Sequence, residues 1–186
     1  MARIDSEQRA LKQKKNAEIE QVLIREFGPK ALVPAGDLDR PFTPTELQTF
    51  VRHPLVSMGN HLNNHEILTN YSFAEARQAM IDAQRNLFDM TEITPIAIAY
   101  PNGNFSKETL AAAKEVGFKL GITTLGRKNT LPIDCEGDAF LALKRVTLTG
   151  SKAVKRQCEL LRSDIQSLAV IRKLLGIQVH ENRLSY

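Results

Sequence analysis

The chain has 186 residues, 42% hydrophobic and 25% charged, with a net charge of +4. That is the size and composition of one ordinary globular domain. No apolar run is long enough to span a bilayer, and the start, Met1-Ala2-Arg3-Ile4-Asp5, opens no secretory leader, so the default compartment is cytoplasmic. The basic excess lies in Arg9, Lys12, Lys14 and Lys15 and in the tail at Lys152, Lys155, Arg156, Arg162, Arg172 and Lys173. It reads as solvated helix faces, and without interleaved aromatics it gives no nucleic-acid stripe. The two cysteines, Cys135 and Cys158, have neither metal nor redox spacing.

In chain order, residues 5–27 read as a helix with a partial apolar face (Leu11, Ile19, Val22, Leu23, Phe27), stopped by Gly28-Pro29. The very polar stretch Gln13–Asn16 makes it a capping or protruding element rather than core. Residues 29–42 carry three prolines and read as a loop. Thr43-Pro44-Thr45-Glu46 is a capping box that starts a helix running to about Arg52. Val56–Gly59 is then a short buried strand and His61–Asn70 a polar loop. Ser72-Phe73-Ala74-Glu75 opens a second helix, to about Asp89, with Phe73, Ala76, Met80, Ala83, Leu87 and Phe88 at helical spacing. Ile96–Tyr100 is a continuous apolar strand of the kind found inside parallel sheets. Pro101-Asn102-Gly103-Asn104 turns the chain into a helix over Ser106–Glu115, ended by Gly117, and Leu120–Thr123 is the next strand. After a loop over 125–139, Leu141–Thr149 reads as a strand and 151–175 as a helical tail, restarted by a box at Ser163 and Gln166. The order implies an α/β fold with a parallel sheet or barrel. It divides into an N-terminal helix and loop (1–42), a core (43–150) and a tail (151–186).

In parallel α/β folds the C-terminal ends of strands collect the functional residues. Three such ends follow one another here: His61 and His65 after Val56–Gly59, Tyr100-Pro101-Asn102-Gly103 after Ile96–Tyr100, and Thr124-Leu125-Gly126-Arg127 after the next strand. Imidazole is a common ligand for zinc and related metals, and two rings four residues apart can reach one ion if the backbone turns once between them. The plain alternative is a polar loop with two solvated histidines. Their place at a strand end favours the metal.

These stretches carry a resemblance. Ser57-Met58-Gly59-Asn60-His61-Leu62-Asn63-Asn64-His65, with the Ile67-Leu68-Thr69 that follows, resembles the second motif of the polysaccharide deacetylases, the NodB-homology carbohydrate esterases. Ala99-Tyr100-Pro101-Asn102-Gly103 resembles their third motif. Glu108–Thr124 is similar to the helix and strand after it, and Leu143-Lys144-Arg145-Val146 to a late L-P-R-[IV] strand. The four lie in order over residues 43–150.

The resemblance implies a partial or distorted (β/α) barrel, a divalent metal, most often zinc, and hydrolysis of acetyl groups from an N-acetylated glycan. It makes His61 and His65 metal ligands and the Asn102 N–H an oxyanion donor, shaped by Pro101 and Gly103. Tyr100 stands as core or wall, with a sugar contact as the lesser alternative, and Arg145 as a brace for a carboxylate or, equally, a surface strand residue. It also implies a bacterial-type enzyme, without naming the glycan.

The chain departs from the family in one large respect. The family's first motif, an Asp-Asp pair supplying a third ligand and the general base, has no counterpart; Asp37-Leu38-Asp39 is a poor substitute with no apolar strand ahead of it. The expectation is therefore a chain that starts inside a longer deacetylase, with weak or no activity and an exposed sheet edge inviting self-association. The alternative is a non-catalytic glycan-binding or structural remnant of the same fold. Leu62 replaces a hydroxyl residue, Asn102 a frequent aromatic, and His180 is the one candidate for a late L-x-H motif. His53, at a helix end before Pro54, is expected to cap carbonyls.

Overall fold

The computed structural model describes residues 2–133, 137–150 and 153–162. Cys135, Lys152, the box at Ser163 and Gln166, Arg172, Lys173 and His180 lie outside the described residues.

The N-terminal helix expected over 5–27 is two helices, α1 (Ala2–Leu11) and α2 (Asn16–Phe27), with an elbow at the polar stretch between them. Breaking there costs little, because no apolar stripe runs through those positions. Glu18 accepts from the Lys15 N–H (2.9 Å) and so caps the start of α2. Two single 3₁₀ turns, Pro29–Leu32 and Asp37–Asp39, fill the expected loop. Arg40 clamps that loop to the next helix with a two-pronged bond to Glu46 (2.8 and 2.9 Å) and a third to Asp37 (3.0 Å). This pairing holds the Glu46 carboxyl down at about 2. Helix α3 (Pro44–Val51) starts at the Thr43–Glu46 capping box as its sequence dictates.

Helix α4 (Phe73–Thr91) begins at the Ser72–Glu75 box and buries Ala76, Met80 and Ala83. Its stripe is narrower than its spacing suggested: Phe73 and Phe88, at the two ends, are 38% and 50% exposed. Strand β1 (Ala97–Ala99), helix α5 (Lys107–Val116) and strand β2 (Leu120–Ile122) form a parallel unit, with Ala97 opposite Leu120 and Ala99 opposite Ile122. Helix α5 serves as the crossover that parallel pairing requires. Helix α6 (Val154–Arg162) is the described part of the tail.

Two expected strands are corrected. Val56–Gly59 forms no strand: the contact with β1 narrows to one parallel bridge, Asn60 to Ile98, closed by Asn60 N–H to Ala97 O (2.8 Å) and Ala99 N–H to Asn60 O (2.9 Å). Leu141–Thr149 is a 3₁₀ turn (Ala139–Ala142) and then one bridge, Ile122 to Leu143. The parallel order Asn60, β1, β2, Leu143 nevertheless follows the sequence. Two named strands do not make a barrel, and the architecture among the described residues is α/β with a short parallel sheet.

The core lies between this sheet and α4 and α5. Leu68, Met80, Ile98, Tyr100, Ala112, Ala113, Phe118 and Leu141 are all nearly or fully buried. Close approach sets one residue by sterics: a Cβ on Gly121 would meet the Leu141 carbonyl oxygen at 2.0 Å and the Tyr100 hydroxyl at 2.6 Å.

Candidate functional site

The site is built where Asn60 leaves the sheet. Asn60 is fully buried, and its amide is spent in both directions. Its Oδ1 accepts from the Leu62 N–H (2.8 Å), and its Nδ2 donates to Gln84 Oε1 on α4 (3.2 Å). Gln84 in turn donates to the Pro95 carbonyl (2.8 Å). This relay fixes the start of the histidine loop against both α4 and the approach to β1. Leu62 and His65 then take left-handed backbone conformations, at φ 64° and 55°. A bulky side chain enters that region only at a cost of order 1–3 kcal/mol, which the surroundings must offset.

The two left-handed residues curl the loop until the imidazoles meet. The ring centroids of His61 and His65 lie 4.8 Å apart, edge to face. His61 Nδ1 is 2.6 Å from the Ala99 carbonyl oxygen at the end of β1. A carbonyl only accepts, so Nδ1 carries a proton; in the neutral ring this leaves the lone pair on Nε2, the arrangement usual for a metal-ligating histidine. His65 is held below the ordinary imidazole range, first by desolvation, then by the neighbouring His61 ring, with Lys12 adding to both. The His65 ring thus favours the neutral form that a cation needs.

Facing them is the corner after β1. Asn102 is left-handed (φ 57°, ψ −1°) inside the Pro101–Gly103 turn. Gly103, at φ 77°, packs so closely that a Cβ would fall 2.0 Å from Thr124 Oγ1. The Gly103 and Asn104 N–H groups turn inward to Tyr100 O and Pro101 O. The Asn102 side chain donates to Asn104 Oδ1 (2.9 Å). Among the described residues no acceptor faces the Asn102 N–H. Tyr100 is different: it is 2% exposed, its hydroxyl donates to Leu141 O (2.9 Å), and burial pushes its phenol well up. It is core, not a cavity wall, and Pro101 and Gly103 are buried beside it.

A cavity of about 270 Å³ opens at this corner, lined by His65, Asn64, Ile67 and Asn102 on one side. Leu11, Lys12, Asn16, Ile19 and Glu20 of the N-terminal elbow line the other. The sequence pattern of α1 and α2 gave no hint of this role, because it lies in the elbow's docking rather than in a motif. Arg145 is exposed, its N–H bonded to Leu125 O (3.0 Å), and no carboxylate pairs with its side chain among the described residues. Asp37 is tied to Arg40, and Asp39 accepts from the Ala35 N–H (2.9 Å). No group of three His, Cys, Asp or Glu able to hold a metal exists among the described residues. The histidine pair therefore fits a divalent cation as two ligands of a set that catalytic zinc completes with a third and a water. His53 accepts from the Leu55 N–H (3.3 Å) through its ring and caps no carbonyl, a correction to its expected role.

The parallel α/β fold that carries this site has known counterparts. The sequence model of the polysaccharide deacetylases matches residues 10–121, more than half of the chain, with His61, His65 and Asn102 inside it. The chain belongs to the polysaccharide deacetylase family. A curated relative, "Putative polysaccharide deacetylase YxkH" of Bacillus subtilis, is 27% identical over 82 residues, which cover 44% of this chain and 29% of that protein. Among solved structures, the deacetylase PplD of Streptococcus pyogenes, in complex with acetate, is 23% identical with a TM-score of 0.57, over 66% of this chain and 51% of that one. The polysaccharide deacetylase BC0361 of Bacillus cereus is 17% identical with a TM-score of 0.59, over 79% and 48%. At those identities the structures share the fold. The chain spans under a third of the curated relative and about half of the solved structures.

Proposed function

We propose that this chain carries the histidine half of a divalent-metal site, for zinc, that removes acetyl groups from N-acetylated sugars of a glycan. The observation that supports this best is the convergence of His61 and His65 with the His61 Nδ1 proton tied to Ala99 O, which frees Nε2 for a cation. A bound divalent ion in such a site lowers the pKa of a water and polarises the acetyl carbonyl. The chain's own part is to present two neutral imidazoles, to offer the Asn102 N–H to the developing oxyanion, and to hold that N–H still through Gly103 and Thr124. The surrounding sheet is read as part of a (β/α) barrel of the NodB type. Arg145 is a brace for a carboxylate brought to the cleft.

No third ligand and no general base stand beside the histidines among the described residues, so turnover by this chain alone is expected to be weak. The same observation supports a second reading, a non-catalytic glycan-binding remnant of the fold.

Zinc titration and acetate release from N-acetylglucosamine oligomers separate the readings. The first expects zinc uptake lost in His61→Ala and in His65→Ala, and slow, metal-dependent acetate release lost with it. Unchanged zinc affinity in both variants removes the metal site. Zinc uptake and sugar binding without any acetate release favour the remnant.

A further inference from the structure

The N-terminal elbow is fastened to the histidine loop more firmly than a passing contact requires. Asn70 Nδ2 donates to two elbow carbonyls, Lys12 O (2.9 Å) and Lys14 O (3.0 Å). The Asn16 N–H donates to the Tyr71 hydroxyl (2.8 Å), and the Asn16 amide to Asn64 O. Lys15 pairs with Glu75 (2.6 Å) and lies over the Tyr71 ring, 5.3 Å from its centre. The elbow is thereby a fixed wall of the cavity that holds His65 and Asn102.

The wall's polar groups divide sharply. The Asn16 side chain is spent on Asn64 O, that of Asn64 on Glu66, and that of Asn102 on Asn104. Lys12 and Glu20 also line this cavity, and their side chains make no hydrogen bond or ion pair among the described residues. Beside them Leu11, Ile19 and Ile67 give apolar surface. A charged donor, a charged acceptor and an apolar floor match a pyranose, whose rim is hydroxyls and whose face is C–H. At about 270 Å³ the cavity falls just below the usual range for drug-sized ligands and holds one ring, not a chain of them.

We propose that this cavity is a single-sugar subsite, in which Lys12 and Glu20 of the elbow bind the polar rim of one N-acetylated hexosamine while its ring lies on Ile19 and Ile67. The choice of sugar class rests on the proposed deacetylase function; the site itself rests on the elbow's geometry. It assigns the N-terminal helices a role in substrate selection that no catalytic motif carries.

The test is binding of N-acetylglucosamine to the full chain, stripped of metal with chelator and followed by NMR shifts or calorimetry. Lys12→Ala, in the exposed turn of the elbow, and Glu20→Ala, at an exposed position of α2, are each expected to weaken binding about fivefold or more, as loss of a hydrogen bond to a charged group does. Ile19→Trp, which fills the cavity, is expected to abolish it, with circular dichroism confirming the fold of each variant. Arg77→Ala, which does not line the cavity and removes only an exposed ion pair with Glu115, is expected to leave sugar affinity within about twofold. Failure of the metal-free chain to bind the sugar, or unchanged affinity in both elbow variants, overturns the subsite. Acetate release with the same KM in both elbow variants also overturns it, while leaving the deacetylase reading intact. Sugar binding lost in the elbow variants, in a chain that releases no acetate, keeps the subsite and removes the catalytic reading.

Discussion

At the scale of single residues, the site depends on backbone conformations that few side chains choose. Gly103 is the strictest: its φ is 77°, and a Cβ would meet Thr124 at 2.0 to 2.6 Å, three atoms at once. Gly103→Ala combines left-handed strain with overpacking, each of order 1–3 kcal/mol. The expected result is a loss of about 2–5 kcal/mol in urea unfolding, with Thr124→Ala restoring part of it; an unchanged midpoint would show that the corner is not rigid. His65 gives a pH prediction. Its folded pKa lies below the unfolded value of about 6.5, so the unfolded chain takes up the proton first. Its contribution to stability is complete above about pH 6.5 and is lost as pH falls through the folded value. The proton NMR titration of the His65 ring should have its midpoint below 6.5, and His61→Ala should move it upward by removing the second-largest cause.

At the scale of elements, signals local in sequence were readable and those needing a partner were not. The capping boxes at Thr43 and Ser72 each stand where the pattern put them, because a cap is settled within four residues. The apolar runs at Ile98 and Gly121 are strands because both flanks are covered. Val56–Gly59 and Leu141–Thr149, broken by polar residues, form no named strand, and the pairing there comes down to one bridge at Asn60 and one at Leu143. The histidine pair and the Pro-Asn-Gly corner were legible as a site; the cavity's other wall was not, because nothing in Leu11 to Glu20 states that Asn70 and Tyr71 will hold it. That fastening gives the next prediction. Asn70→Ala removes two bonds to elbow carbonyls at once and is expected to cost about 1–3 kcal/mol. Amide hydrogen exchange should rise over residues 12–27 and stay unchanged in α4. Equal rises in both would mean that the elbow and the core open together.

At the scale of the whole molecule, the described sheet stops at Asn60 on one side and Leu143 on the other, and the two ends are finished differently. Beyond Leu143, Lys144 turns its backbone to Asn129: the Lys144 N–H donates to Asn129 Oδ1 (2.9 Å), and Asn129 Nδ2 donates to Lys144 O (3.0 Å). One side-chain amide thus occupies both polar groups that a passing strand would use, a way of blunting an edge. No such amide covers the outer side of Asn60 among the described residues. Near it in sequence, Leu55 is 89% exposed, and Phe42 and Phe50 stack at 5.3 Å with both rings largely in solvent. Exposed apolar surface of this kind favours association. Sedimentation velocity across a concentration series should therefore show self-association of the wild-type chain that weakens in Leu55→Lys. Asn129→Ala should strengthen it, because the freed Lys144 groups then offer a second edge. The signs separate the two ends: if Asn129→Ala loses stability without gaining association, the amide only holds its own loop, and the edge near Leu143 is closed by other means.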